Sequence, residues 1–278
     1  MHILVVDDFV LVELALAQVI QDTSHTLTGV RDPRSLPEVL SQGTRFDLAL
    51  VDINFGPGVP TGLTAMRILR DLSPKTGIVI ESTDEERNRL LFLLASFSFF
   101  EPLALMSKAA PAQAMRALID AVDRGELTGP GFAGPDGVQV HGGNRAAESP
   151  VERLIRNSGV LDELIRNRTD LLLWRALVRF DKRGEVARAA HVDERTVDRF
   201  TSGKSQVVDK IEAEFPEGVP APEAPPPADD DPDGHRRHPN LVRLARFAQT
   251  HSHFFDDEAI DELFAERWRS PRPRRPPA

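Results

Sequence analysis

The sequence predicts an α/β domain on a five-stranded parallel sheet, followed by an all-α domain. Three observations carry this. Up to about Gly125, short apolar runs alternate with amphipathic stretches, the pattern of strand–helix–strand units in a parallel sheet. Then "TGPGFAGPDGVQVHGGNRAAESP" (128–150) breaks every periodicity with Gly and Pro. From Val151 onward, apolar residues recur only at helical spacing.

The strands are expected at Ile3–Val6, about Thr26–Val30, Leu48–Val51, Ile78–Ile80 and Leu103–Met106. Helical patterns lie between them, such as "TGLTAMRILRDL" (61–72) and "PAQAMRALIDAVDRG" (111–125). In the second, Pro111 suits a first turn and Gly125 a C-terminal cap. The expected division is 1–126 for the α/β domain and 127–150 for a Gly/Pro-rich linker. A helical domain (151–215), a Pro-rich acidic linker (216–238) and amphipathic helices with a basic tail (239–278) follow. There is no internal repeat.

The 278 residues contain no cysteine, which excludes disulfides and Cys-based metal or redox sites. No apolar run approaches the roughly 20 residues of a membrane-spanning helix. The N-terminus lacks the basic and apolar regions of a signal peptide. A cytoplasmic protein with no membrane partner is expected. The formal charge of −9 is unevenly spread: residues 171–212 carry nine bases against seven acids. The average therefore hides a mildly basic module.

In an open parallel sheet, function collects at the C-terminal ends of the strands. Asp7 and Asp8 end the first strand in "HILVVDDFV", and Asp52 ends the third in "FDLALVDINFGPG". Clustered carboxylates need a counter-charge, and an all-oxygen set suits a hard divalent cation, Mg²⁺ above all. Ser82 and Thr83 end the fourth strand in "IVIEST", and Lys108 follows the fifth in "LALMSK". Each residue alone has a plainer role, the acids and hydroxyls as helix caps and Lys108 as a solvated cation. Together, a hydroxyl and an ammonium beside carboxylates and a metal form a receptacle for a phosphoryl group.

"VVDD", "LVDIN", "ST" and "SK", ending successive strands, resemble the receiver domain of bacterial two-component response regulators over residues 2–125. The resemblance implies a flavodoxin-like sheet in the order 2-1-3-4-5. It also implies phosphorylation of Asp52 by a sensor histidine kinase. Asp7, Asp8, Asp52 and the Asn54 backbone carbonyl would hold Mg²⁺, while Lys108 and Ser82 or Thr83 contact the phosphoryl group. Receivers usually place an aromatic three residues before the lysine. Here Leu105 stands there, and the chain contains no tyrosine.

"GEVARAAHVDERTVDRF" (184–200) has the shape of a helix-turn-helix. Glu185–Ala190 supplies a first helix and His191 the tight turn. Asp193 or Glu194 would cap a second helix that presents Arg195, Thr196, Arg199, Ser202 and Lys204 to DNA. "LLLWRALVRF" (171–180) reads as a supporting helix with Trp174 and Phe180 in the core. The stretch resembles the helix-turn-helix of NarL/LuxR-class regulators, and its continuation "RFTSGKSQ" equally resembles phage-repressor-type modules.

These readings lead to a non-enzymatic, DNA-binding response regulator, with a homodimer suggested by the two-fold symmetry of typical operators. One rival is a receiver-containing adaptor whose helical half binds a protein partner, with or without phosphorylation. Another is a Mg²⁺-dependent phosphatase, which the missing Asp-x-Asp pattern disfavours.

Overall fold

The computed structural model describes residues 1–56, 58–83, 89–127, 129–139, 148–215 and 239–269. The acidic Pro-rich segment and the tail beyond Arg269, both singled out by composition, lie outside them. So does Asp84, the residue after the Ser82–Thr83 strand end. The chain forms two compact units, Met1–Glu86 with Phe92–Ser158 and Arg87–Leu91 with Gly159–Ala278.

The apolar runs of the first unit become parallel strands β1 (His2–Val6), β2 (Thr26–Val30), β3 (Leu48–Asp52), β4 (Gly77–Ser82) and β5 (Ala104–Ser107). Their spatial order is β2-β1-β3-β4-β5, the expected flavodoxin-like arrangement. Helices α1 (Val10–Ile20), α2 (Leu36–Ser41), α3 (Gly62–Leu72), α4 (Leu90–Phe99) and α5 (Ala112–Asp123) connect them. Alternation along each strand sends Val5, Leu50, Val79 and Ala104 to one face. There they form a shared core with Leu16 and Ile20 of α1 and with Leu118 and Ile119 of α5.

The sheet is larger than the five strands expected. Within the stretch read as linker, β6 (Gly131–Gly134) joins β5 in parallel and β7 (Gly137–Gln139) turns back antiparallel. Pro135 and Asp136 make the hairpin turn, and Gly137 carries a φ of 111° that a side chain would oppose. Helix α6 (Pro150–Asn157) also belongs to this unit. A capping box opens it: Glu152 N–H donates to the Ser149 hydroxyl at 3.1 Å and Ser149 N–H to Glu152 Oε2 at 2.8 Å. Residues through Ser158 are thus grouped with the first unit.

The second unit is helical throughout: α7 (Val160–Leu164), α8 (Arg168–Arg179), α9 (Arg183–Ala189), α10 (Glu194–Glu214), α11 (Pro239–Thr250), α12 (Ser252–Asp256) and α13 (Glu258–Arg269). Its core centres on Trp174 of α8. The indole stacks on Phe255 with centroids 5.0 Å apart and meets Phe200 edge-on at 5.2 Å and Phe247 at 5.6 Å. Its N–H donates to the Leu164 carbonyl at 2.9 Å, so the one polar atom of the ring is satisfied. Phe180, expected in this core, instead ends α8 as its C-cap. Among the described residues, no helix is long and apolar enough to cross a membrane.

Candidate functional site

The strand ends of the first unit bring four of the expected residues together. Carboxylate oxygens of Asp7, Asp8 and Asp52 lie within 4.8 Å of one another. Lys108 Nζ stands 2.6 Å from Asp7 Oδ2 and 2.9 Å from Asp52 Oδ2. Local bonding explains the aim of each acid. Asp7 N–H donates to the Val30 carbonyl at 3.0 Å, prolonging the β1–β2 ladder by one residue, and Asp7 Oδ1 accepts from Phe9 N–H at 2.7 Å. Asp8 Oδ2 accepts from Gly56 N–H at 2.8 Å, which ties the loop after Asp52 across the site. Asp7 therefore braces the start of α1 and still pairs with the lysine.

Two glycines permit this closeness. A Cβ on Gly62, the first residue of α3, would sit 2.1 Å from the Asp52 carbonyl oxygen. A Cβ on Gly56 would come within 3.3 Å of Asp8 Oδ2.

Lys108 N–H donates to the Ser82 carbonyl at 2.8 Å, holding the ends of β4 and β5 side by side. Ser82 is buried and Thr83 half-buried. Thr83 Oγ1 is shielded from solvent and has no hydrogen-bond partner among the described residues. Asn54 lies half-buried in the loop after β3. Leu105 is buried in β5.

Burial opposes the charge on Lys108, but Asp52 and Asp7 outweigh it and raise its pKa above the ordinary lysine value. Sequence reasoning missed a fourth carboxylate. Glu81 pairs in register with Asp52 and so points to the same face of the sheet, wholly buried. Burial pushes its pKa up to about 8; Lys108 works against this, and Asp7 and Asp52 add to it. The available signal was a carboxylate placed between the apolar run Ile78–Ile80 and the strand-end hydroxyls in "IVIEST". Three clustered carboxylates meet one ammonium, which pairs with Asp7 and Asp52, an imbalance that suits an oxygen-seeking divalent cation.

In the second unit, α9 and α10 form the expected helix–turn–helix outline. His191 occupies the turn with a left-handed φ of 55°. Asp193, rather than Glu194, caps α10, accepting from Thr196 N–H at 2.6 Å. Arg195, Arg199 and Ser202 are exposed on α10, and Thr196 is half-buried. The Thr196 hydroxyl also bonds to Asp193, and the backbone and side-chain bonds together hold that carboxyl below its usual range. The Ser202 hydroxyl donates to the Asp198 carbonyl at 3.0 Å.

Lys204 is a correction. Expected to face outward, it is 2% exposed, its ammonium 2.6 Å from Asp170 Oδ2 and also donating to the Glu163 carbonyl. Helix α10 runs unbroken to Glu214, and Phe200, Thr201, Lys204, Val207, Val208 and Ile211 make one inward stripe along it. Position 204 falls on that stripe, so the lysine is a buried brace between α10 and α8. Among the described residues, Arg195 and Arg199 form no ion pair. Arg183, which sequence reasoning passed over, reaches from α9 to Glu194 and Asp198.

No family profile matches the chain, and no curated protein does. Solved structures share its outline at low identity. A signal receiver domain of an HD domain-containing protein from Pseudomonas fluorescens Pf-5 is 18% identical, with a TM-score of 0.40, over 45% of this chain and 95% of that one. A structure of two RcsB dimers bound to two parallel DNAs is 14% identical, with a TM-score of 0.48, over 88% of this chain and 97% of that one. RcsB from Salmonella enterica serovar Typhimurium, bound to a promoter with a phosphomimetic, is 12% identical, with a TM-score of 0.43, over 88% and 98%. In this chain's own topology, an acidic cluster sits at the strand ends of a flavodoxin-like α/β unit, and the rest of the described chain is helical.

Proposed function

We propose that this chain is a phosphorylation-controlled response regulator in which Asp52 accepts a phosphoryl group and the α9–α10 helix-turn-helix binds DNA. One observation carries the reading: Lys108 bridges Asp7 and Asp52 at 2.6 and 2.9 Å, with Asp8 within metal-sharing reach of both acids. In the transfer, an Asp52 carboxylate oxygen forms the new P–O bond as the donor's P–N bond breaks. The departing imidazole keeps the electron pair and takes up a proton. Lys108 meets the charge on the phosphoryl oxygens, and the hydroxyl of Ser82 or Thr83 donates to one of them. Asp7, Asp8, Asp52 and the Asn54 carbonyl would hold Mg²⁺, which when bound neutralises the attacking and transferred oxygens.

A protein phosphodonor, the sensor histidine kinase of this reading, fits the rim of the pocket. Phe9, Leu11 and Leu14, on the turn leading into α1 and its first residues, are 62%, 66% and 59% exposed, directly beyond Asp7 and Asp8. Apolar side chains in contiguous exposure mark a docking surface. On α10, exposed Arg195 and Arg199 supply the contacts that phosphates and guanine edges require, with Thr196 and Ser202 beside them. The protein is read as a cytoplasmic regulator that acts as a homodimer, with no catalytic turnover of its own substrate.

Incubation with Mg²⁺ and acetyl phosphate, followed by intact-mass measurement, tests the switch. The wild type is expected to gain one phosphoryl group and Asp52→Asn none. Equal labelling of both would overturn the assignment of Asp52. Separate Ser82→Ala and Thr83→Ala variants identify the switch hydroxyl as the one whose loss slows labelling. Binding to DNA that declines steeply with salt separates this reading from an adaptor with a protein partner.

A further inference from the structure

We infer that Arg183 acts as a charge mask that makes the outward face of α10 acceptable to DNA, a deepening that rests on the DNA-binding reading above. The first turns of α10 carry two acids, Glu194 and Asp198, beside the two exposed arginines, Arg195 and Arg199. Taken by themselves these four charges cancel, and a neutral face gains nothing from a phosphate backbone. Arg183 opens α9 and reaches across the helix crossing. Its Nη2 donates to Glu194 Oε2, and its Nη1 lies 3.2 Å from Asp198 Oδ2 and 3.4 Å from Oδ1. One guanidinium thus occupies both carboxylates, as a planar, forked cation can and an ammonium cannot do equally well. The acids are turned toward α9; with Asp193 engaged as the cap of α10 by Thr196 N–H, Arg195 and Arg199 are left as the charges of this face without an ion pair among the described residues.

Arg183 is therefore a positioning residue, acting through Glu194 and Asp198 and not through a nucleic-acid contact of its own. The crossing it spans is already fixed by buried Val186, Ala187 and Val197 and by the Asp193 cap, so the fold does not need it. All three members of the cluster are about half exposed, which leaves them open to an approaching phosphate.

The test is a double-mutant cycle on the phosphorylated full-length protein. A pool of duplexes with a randomised core is enriched on the wild type, and the winning duplex becomes the probe. Arg183→Ala is expected to weaken binding roughly tenfold, because two carboxylates are uncovered beside the phosphates. In the Glu194→Gln/Asp198→Asn background the same substitution is expected to cost about twofold or less, since nothing is left to mask. Arg183→Lys, which keeps the charge but not the fork, is expected to fall between the wild type and Arg183→Ala, with melting temperatures of all variants close to the wild type. A loss of equal size in both backgrounds would mean that Arg183 itself grips DNA, and would overturn the inference. No loss in the wild-type background would overturn it as well. Failure of the wild type to enrich any duplex overturns the DNA reading itself and this inference with it, a result distinct from the other two.

Discussion

Glu81 lies in the same cross-strand row as Asp52, shut off from solvent, with Oε2 lacking a hydrogen-bond partner among the described residues. A carboxyl in that position stays protonated well above the ordinary carboxylate range. From its ordinary value of 4.5 up to about 8, the folded chain holds a proton that the unfolded chain has released. The folded state binds more protons across this window, so stability falls as pH rises through it. Glu81→Gln keeps the shape without the titration. In the absence of divalent ions, denaturant melts should show it similar to the wild type near about pH 5 and more stable by at least ~1 kcal/mol near about pH 9. Parallel curves at both pH values would show that Glu81 is already ionised in the folded protein. The sequence made the acidic triad and Lys108 legible because each follows a strand end, where chemistry is expected. Glu81 was hidden because it sits between the apolar run Ile78–Ile80 and the hydroxyls of Ser82 and Thr83, one residue short of the strand end where chemistry is expected. Lys204 was misplaced for a related reason: a lysine after a helix-turn-helix reads as outward until the length and facing stripe of α10 are known.

At the scale of elements, the C-terminal helices have a definite task. Phe247 of α11 and Phe255 of α12 close two sides of the cage around Trp174, and Arg175 of α8 donates to the Phe255 carbonyl at 2.6 Å. Amphipathicity in 239–268 was legible, but its target was not, because a stripe of apolar residues does not say which face it meets. A chain ending at Phe215 would uncover the indole on two sides. Loss of large buried aromatic contacts costs several kcal/mol, about 3–5 for a Phe-to-Ala change in a core. Truncation also removes Trp268, leaving Trp174 as the remaining indole of the two in the chain. Its fluorescence should shift to the red, and the helical unit should lose its cooperative melt. A blue, sharply melting signal from the truncated protein would show that α7–α10 stand alone. The hairpin of β6 and β7 was missed for a different physical reason. "FAGPDGVQV" does carry a turn signal between apolar residues, but surrounding glycines and prolines drowned the short alternation.

At the scale of the whole molecule, the chain divides into two units, and the short segment Arg87–Leu91 is grouped with the helical one. Sequence punctuation at 128–150 was read as a linker, yet β6 and β7 form within it. Residues through 158 complete the first unit instead. A fragment 1–126 would therefore lack two strands and α6, whereas 1–158 would carry all of them. Light scattering of the two fragments at equal concentration should find 1–126 associating and 1–158 dispersed; equal behaviour would show that β5 tolerates its bare edge.

The hairpin is, in effect, a hem on the sheet. A strand left with open N–H and C=O groups invites pairing with any other chain. Here the final edge is β7, three residues long and reached through a turn that bends it back, which offers a stranger little to zip against. Anyone joining the α/β unit to a different second domain would need to cut past the hem, after Ser158. A seam placed earlier would leave the cloth free to unravel into its neighbours.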